Sequence, residues 1–153
     1  MKFITSLLIP LAVGFSAGFF TRKEIVGWFS RLEKPWFNPP NWVFSPVWTL
    51  LYILMGIAMW LIWKSKMPES LKKTALFLYA IQLILNFFWS LLFFNLHQTG
   101  WAFAEIILMW VFILLTILAF ARVNKTAAWL MVPYISWVSF ASILNYSIWI
   151  LNK

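Results

Sequence analysis

At 153 residues, 63% of them hydrophobic and only 10% charged, the chain carries more apolar surface than a soluble fold of this size can hide. Its formal charge of +8 sits in gaps between apolar runs and not along one polar face, which argues against a nucleic-acid partner and for anchoring at lipid headgroups. With no cysteine, disulfides, thiolate metal sites and cysteine nucleophiles are excluded, and four acids in all leave little for acid–base chemistry.

A bilayer core needs about 20 apolar residues of helix. Five segments qualify: 3–20, 42–63, 74–94, 101–121 and 127–151. Segments of about ten residues with alternating polarity, the mark of a membrane β-barrel, are absent. The expected fold is an all-α integral membrane protein: a bundle of five transmembrane helices forming one domain over 1–153. It is multi-pass in the membrane, the cell membrane if the source is bacterial.

The first segment, Lys2 followed by an apolar run to Phe20 with small Ser16 and Gly18, has the look of a secretory signal. We expect it to be retained, since it reaches the lower length limit for a span and carries a G-x-x-x-G pair at Gly14 and Gly18. Ser6 and Pro10 extend that pair into a stripe of close backbone approach, serving packing within the bundle or dimerisation, with internal packing preferred.

From Thr21 to Asn41 the connection holds Trp28, Phe29, Arg31, Lys34, Pro35, Trp36, Phe37, Pro39 and Pro40. It is too aromatic for a linker: either an ordered lid over a cavity, with Phe29, Arg31, Lys34 and Trp36 as lid residues, or an interfacial aromatic belt. The remaining connections are short and polar. Lys and Arg divide six against six between the two sides of a five-span bundle, which gives no orientation.

Seven of the twelve tryptophans fall near span ends, but Trp48, Trp60, Trp89, Trp110 and Trp137 lie deeper, where an indole N–H needs a partner on another helix or in a cavity. Gln82, Asn86 and Asn145 point inward, either to bond helix to helix or to orient a ligand in an apolar pocket. Glu105 is the one acid within a span. An intramembrane acid is a functional candidate, but one turn into a helix it is favoured by the dipole and can snorkel to the interface, the reading we prefer. His97, the only histidine, cannot build a multi-His metal site, and neither a metal nor a cofactor is expected.

The run from Trp36 through Asn38-Pro39-Pro40-Asn41-Trp42 to Ser45-Pro46-Val47-Trp48 and Tyr52, with Gly56 beyond, resembles the signature of the TspO/MBR family of tryptophan-rich sensory and translocator proteins. Gln82 through Asn86 with Trp89, Gly100-Trp101-Ala102 with Glu105, Pro133-Tyr134 with Trp137, and Phe140-Ala141 with Asn145-Tyr146 follow in the family's order. The resemblance implies a five-helix bundle, usually a homodimer in the lipid bilayer, with the first loop closing over a pocket. It further implies that the pocket accepts porphyrins such as protoporphyrin IX, sterols, and isoquinoline carboxamide or benzodiazepine-type ligands.

Carried over by position, the pocket residues are Trp48, Tyr52, Asn86, Trp89, Trp101, Ala104, Leu108, Trp137 and Ala141, with Arg31 or Lys34 reaching the propionates of a porphyrin. Trp48 and Trp137 are the candidates for light-dependent oxidation of the bound porphyrin. The chain departs from the family pattern at Phe29, where many relatives have Tyr. It also departs at Ile150, where relatives with a sterol motif place a basic residue; Lys153 lies too far from Tyr146 to supply one. A sterol binder or a purely regulatory membrane protein is the alternative.

Overall fold

The computed structural model describes residues 2–153, and these form helices and turns with no strand among them. Five stretches are long and apolar enough to cross a membrane: Lys2–Arg31, Asn41–Trp63, Glu69–Asn95, Thr99–Val123 and Lys125–Asn152. They comprise the helices α1 (Lys2–Val26), α2 (Asn41–Trp63), α3 (Glu69–Ser90), α4 (Thr99–Val123), α5 (Lys125–Leu130) and α6 (Val132–Asn152). A 3-10 turn, Phe29–Arg31, follows α1, and a π-helical turn, Leu91–Asn95, closes α3. Only helices satisfy their own backbone in hydrocarbon, and apolar length alone therefore fixes the five spans.

The helix ends depart from the hydropathy boundaries. α1 continues through Arg22, Lys23 and Glu24 to Val26, and the irregular part of the first connection shrinks to 32–40. α3 starts at Glu69, where Lys72 is folded back so that its Nζ donates to Ser65 O at 2.8 Å and to Glu69 Oε1 at 3.3 Å. The fifth span is broken at Met131: Asn124 Oδ1 caps α5 by accepting from Ala127 N at 3.0 Å, and Pro133 stands in the first turn of α6, where its missing N–H is not needed.

α1 lies along α2, α3 along α4, and α4 also along α6, while α5 packs on α4 and α2. The α1–α2 approach is close because of glycine. A Cβ at Gly56 would sit 2.9 Å from both Leu7 Cα and Ser6 O, and one at Gly14 would collide with the Tyr52 ring. With Ser6 and Pro10 also buried, the stripe on α1 serves packing inside the bundle as far as Gly14; beyond it Gly18 has open space. The sealed core is Met55, Ala58 and Ile62 of α2, Tyr79 of α3, Ile106, Met109 and Ile113 of α4, and Val138 of α6.

Candidate functional site: an aromatic cavity between four spans

A cavity of about 640 Å³ opens beside this core, within the size range of ligand pockets. Each wall is one face of a helix, read at a spacing of three or four. α1 contributes Leu11, Gly14, Gly18 and Arg22; α2 contributes Asn41, Ser45, Trp48 and Tyr52; α6 contributes Trp137, Ala141, Asn145 and Ile148. The end of α3 adds Trp89, Phe93 and Phe94, and the turn after α1 adds Phe29. From Asn41 to Tyr52 the cavity runs roughly 16 Å along α2, at about 1.5 Å per residue, so it reaches towards the bilayer centre. Glycine and alanine leave the room, and rings form the surface.

Trp48 is the hub of those rings. Its centroid lies 5.7 Å from Tyr52 at 29°, 6.4 Å from Trp89 at 32° and 6.5 Å from Trp137 at 89°. Phe29, only 3% exposed, packs 6.4 Å from Phe44, 6.1 Å from Phe93 and 5.6 Å from Phe94.

The polar groups behind this wall are spent on one another. Tyr52 OH donates to Asn86 Oδ1 at 2.7 Å, Asn86 Nδ2 donates to Tyr134 OH at 2.9 Å, and Tyr134 OH donates to Gln82 Oε1 at 2.7 Å. Trp89 Nε1 donates to Asn145 Oδ1 at 3.0 Å, and Asn145 Nδ2 to Thr99 O at 2.9 Å. Of the two roles open to Gln82, Asn86 and Asn145, bonding helix to helix is the one their atoms perform. At the cavity wall one donor is left over: among the described residues the Trp137 indole N–H is buried without a partner.

The residues expected at the pocket divide accordingly. Trp48, Tyr52, Trp89, Trp137 and Ala141 converge on the cavity, and Asn86 stands behind Tyr52. Trp101, Ala104 and Leu108 do not. They share the outer face of α4, Trp101 being 71% exposed, because the opposite face, with Ala102, Ile106 and Met109, is the one buried in the bundle. Trp101 and Ala104 border a separate shallow hollow with His97, Trp149 and Lys153.

Of the expected lid residues, Phe29 alone borders the cavity. Arg31 Nε donates to Gly27 O at 3.3 Å; Lys34 Nζ donates to Ser30 O at 3.3 Å and Leu32 O at 3.2 Å and lies 5.0 Å over the Phe29 ring; Trp36 is 95% exposed. The loop is nonetheless tied down. Glu33 N donates to Asn152 Oδ1 at 3.0 Å, Asn152 Nδ2 donates to Glu33 O at 2.8 Å, and Phe37 packs edge-on to Phe140 at 6.1 Å.

Glu105 does not snorkel: both of its carboxylate oxygens are enclosed and, among the described residues, without a hydrogen-bond partner. His97, with φ of 56°, is a structural clasp. Its ring stacks on Trp28 at 4.1 Å and 9°, and its Nε2 lies 2.9 Å from Glu24 Oε2, joining the end of α1 to the α3–α4 connection. Sequence reasoning missed the whole α1 wall, Arg22 included, although the open half of its small-residue stripe, Gly18, marked where room was left.

A family model described as the TspO/MBR family matches residues 6–150, which takes in every wall of the cavity. The chain belongs to the TspO/MBR family. It is 46% identical over 142 residues to the tryptophan-rich protein TspO of Chlorobaculum tepidum, covering 93% of this chain and 90% of the relative. It is 41% identical over 152 residues to the tryptophan-rich protein TspO of Archaeoglobus fulgidus, covering 99% and 97%. It is 37% identical over 143 residues to the translocator protein of Homo sapiens, covering 93% and 85%. TspO/MBR membership and the five spans make this a multi-pass protein of the lipid bilayer with a membrane-receptor role, and relatives from a bacterium and an archaeon agree with placement in a cell membrane.

Proposed function

We propose that this protein is a membrane receptor for flat hydrophobic ligands of the tetrapyrrole type, protoporphyrin IX among them, taken up in the cavity between α1, α2, α3 and α6. The carrying observation is the cavity itself: about 640 Å³ walled by Trp48, Tyr52, Trp89, Trp137 and Phe29, ring faces on which a macrocycle can stack. Isoquinoline carboxamides, smaller and equally aromatic, fit the same description.

Light-dependent oxidation of the bound porphyrin belongs to the same proposal. A light-excited porphyrin passes energy to dissolved oxygen or accepts an electron from a neighbouring indole, and Trp48 and Trp137, 6.5 Å apart and nearly perpendicular, both border the space a porphyrin would fill. The test is absorbance and fluorescence of protoporphyrin titrated onto purified protein, in the dark and under illumination, with Trp48→Phe and Trp137→Phe alongside. Saturable binding in the dark with conversion lost in both variants supports receptor and chemistry together. Wild-type conversion rates in both variants remove the chemistry and leave the receptor.

A further inference from the structure

The cavity wall contains one charged side chain, Arg22. It belongs to α1, one helical turn beyond Gly18; because Gly14 meets Tyr52 and Gly56 meets Leu7, α1 and α2 run antiparallel and Arg22 falls towards the Asn41 and Ser45 end of the cavity. Among the described residues its guanidinium makes no ion pair and no side-chain hydrogen bond. Two of the four acids are engaged, Glu24 with His97 and Glu69 with Lys72, and the Glu105 oxygens are enclosed. The cations of the loop are engaged too, Lys34 by two backbone carbonyls and the Phe29 ring, Arg31 by Gly27 O. Arg22 is exposed at the mouth of an otherwise aromatic cavity, where its guanidinium is free to meet an anion.

We propose that Arg22 is the specificity-determining residue of the cavity, selecting flat aromatic ligands that carry a carboxylate on one edge. The proposal rests on the reading of the cavity as the ligand site and deepens it. A guanidinium presents two parallel N–H donors that match a carboxylate, a geometry an ammonium does not offer. From Arg22 to Leu11 the wall descends about three turns of α1, roughly 16 Å, with only apolar or small neighbours, so the anionic edge stays at headgroup level and the ring system lies inward against Trp48 and Trp137. Neutral aromatics enter the same cavity without using Arg22.

The experiment uses the full chain in phosphatidylcholine nanodiscs, in the dark, with tryptophan quenching as the readout. The probes are protoporphyrin IX and its dimethyl ester, which share a ring system and differ in the two carboxylates. Arg22→Gln is expected to weaken the diacid by roughly five- to twentyfold, the worth of a charge-assisted hydrogen-bonded pair near a surface, and to leave the ester unchanged. Retained ester affinity also shows that the variant is folded. Arg22→Lys should restore part of the loss, and Lys23→Gln, which removes the adjacent charge outside the cavity, should leave both probes at wild-type affinity. Three results overturn the assignment while sparing the cavity as a site: equal weakening of diacid and ester, no weakening of either, which would give Arg22 to lipid phosphate, or a Lys23→Gln loss as large as that of Arg22→Gln. Wild-type protein that saturates with neither probe overturns the receptor reading and this one with it.

Discussion

Asn86→Ala is the substitution from which the bundle should suffer most per atom removed. Asn86 of α3 accepts from Tyr52 OH of α2 at 2.7 Å and donates to Tyr134 OH of α6 at 2.9 Å, so a single amide joins three spans. Tyr134 keeps its bond to Gln82, but Tyr52, which is buried, loses its only listener. Interhelical side-chain hydrogen bonds in membranes contribute about 1–2 kcal/mol each in model helices, so the two lost with Asn86 come to about 2–4 kcal/mol. At roughly 2–4 °C per kcal/mol for a chain of this size, the melting temperature in detergent falls by about 4–16 °C. Tyr52→Phe alone removes one bond and should cost about 1–2 kcal/mol. Because the two variants delete a shared bond, Asn86→Ala combined with Tyr52→Phe should be less damaging than the sum by about 1 kcal/mol. Since Tyr52 stacks on Trp48, ligand affinity should fall with stability. Strict additivity across the cycle would refute the shared bond.

Three further outcomes follow from single contacts. Gly56→Ala puts a Cβ 2.9 Å from the Leu7 Cα and Ser6 O backbone atoms, which cannot swing aside, so α1 must move off α2 and thermal unfolding should show a loss of about 1–3 kcal/mol. Glu105→Gln should hold or raise the melting temperature, because it replaces an ionisable carboxyl group, enclosed without a partner among the described residues, by a neutral amide; a loss above about 1 kcal/mol would point to a partner the enclosed oxygens do have. Asn152→Ala cuts both ties between α6 and Glu33, so proteolysis between 27 and 40 should accelerate while the bundle's melting temperature stays near that of the wild type; unchanged cleavage would mean that Phe29 and Phe37 packing holds the loop alone.

The spans were legible because lipid imposes one solution on a long apolar run. Their ends were less so, since hydropathy marks where hydrocarbon stops and not where the helix does: Arg22, Lys23 and Glu24 remain helical in the headgroup zone, as does Glu69 at the start of α3. On the α2 and α6 walls it was the family resemblance that pointed to Trp48, Tyr52, Trp137 and Ala141, and their spacing of four puts each pair on a common face. Spacing says which residues share a face but not where the face points, and that is why Trp101, Ala104 and Leu108 belong together yet lie outside the cavity. On α1 the difficulty is chemical. Leu11, Phe15 and Phe19 look the same in sequence whether they meet lipid or ligand, and only packing against α2 separates the sealed half of the helix from the open half.

The central claim is that ligand occupies the space between α1, α2, α3 and α6. The direct measurement is photocrosslinking of a diazirine-bearing protoporphyrin derivative to the protein in nanodiscs, with the adducts mapped by mass spectrometry. The account predicts adducts on α1 between Leu11 and Ile25, on α2 between Asn41 and Tyr52, and on α6 between Trp137 and Ile148, competed away by unlabelled ligand. Competable adducts confined to Trp101, Ala104 and Leu108 on the outer face of α4 would contradict it.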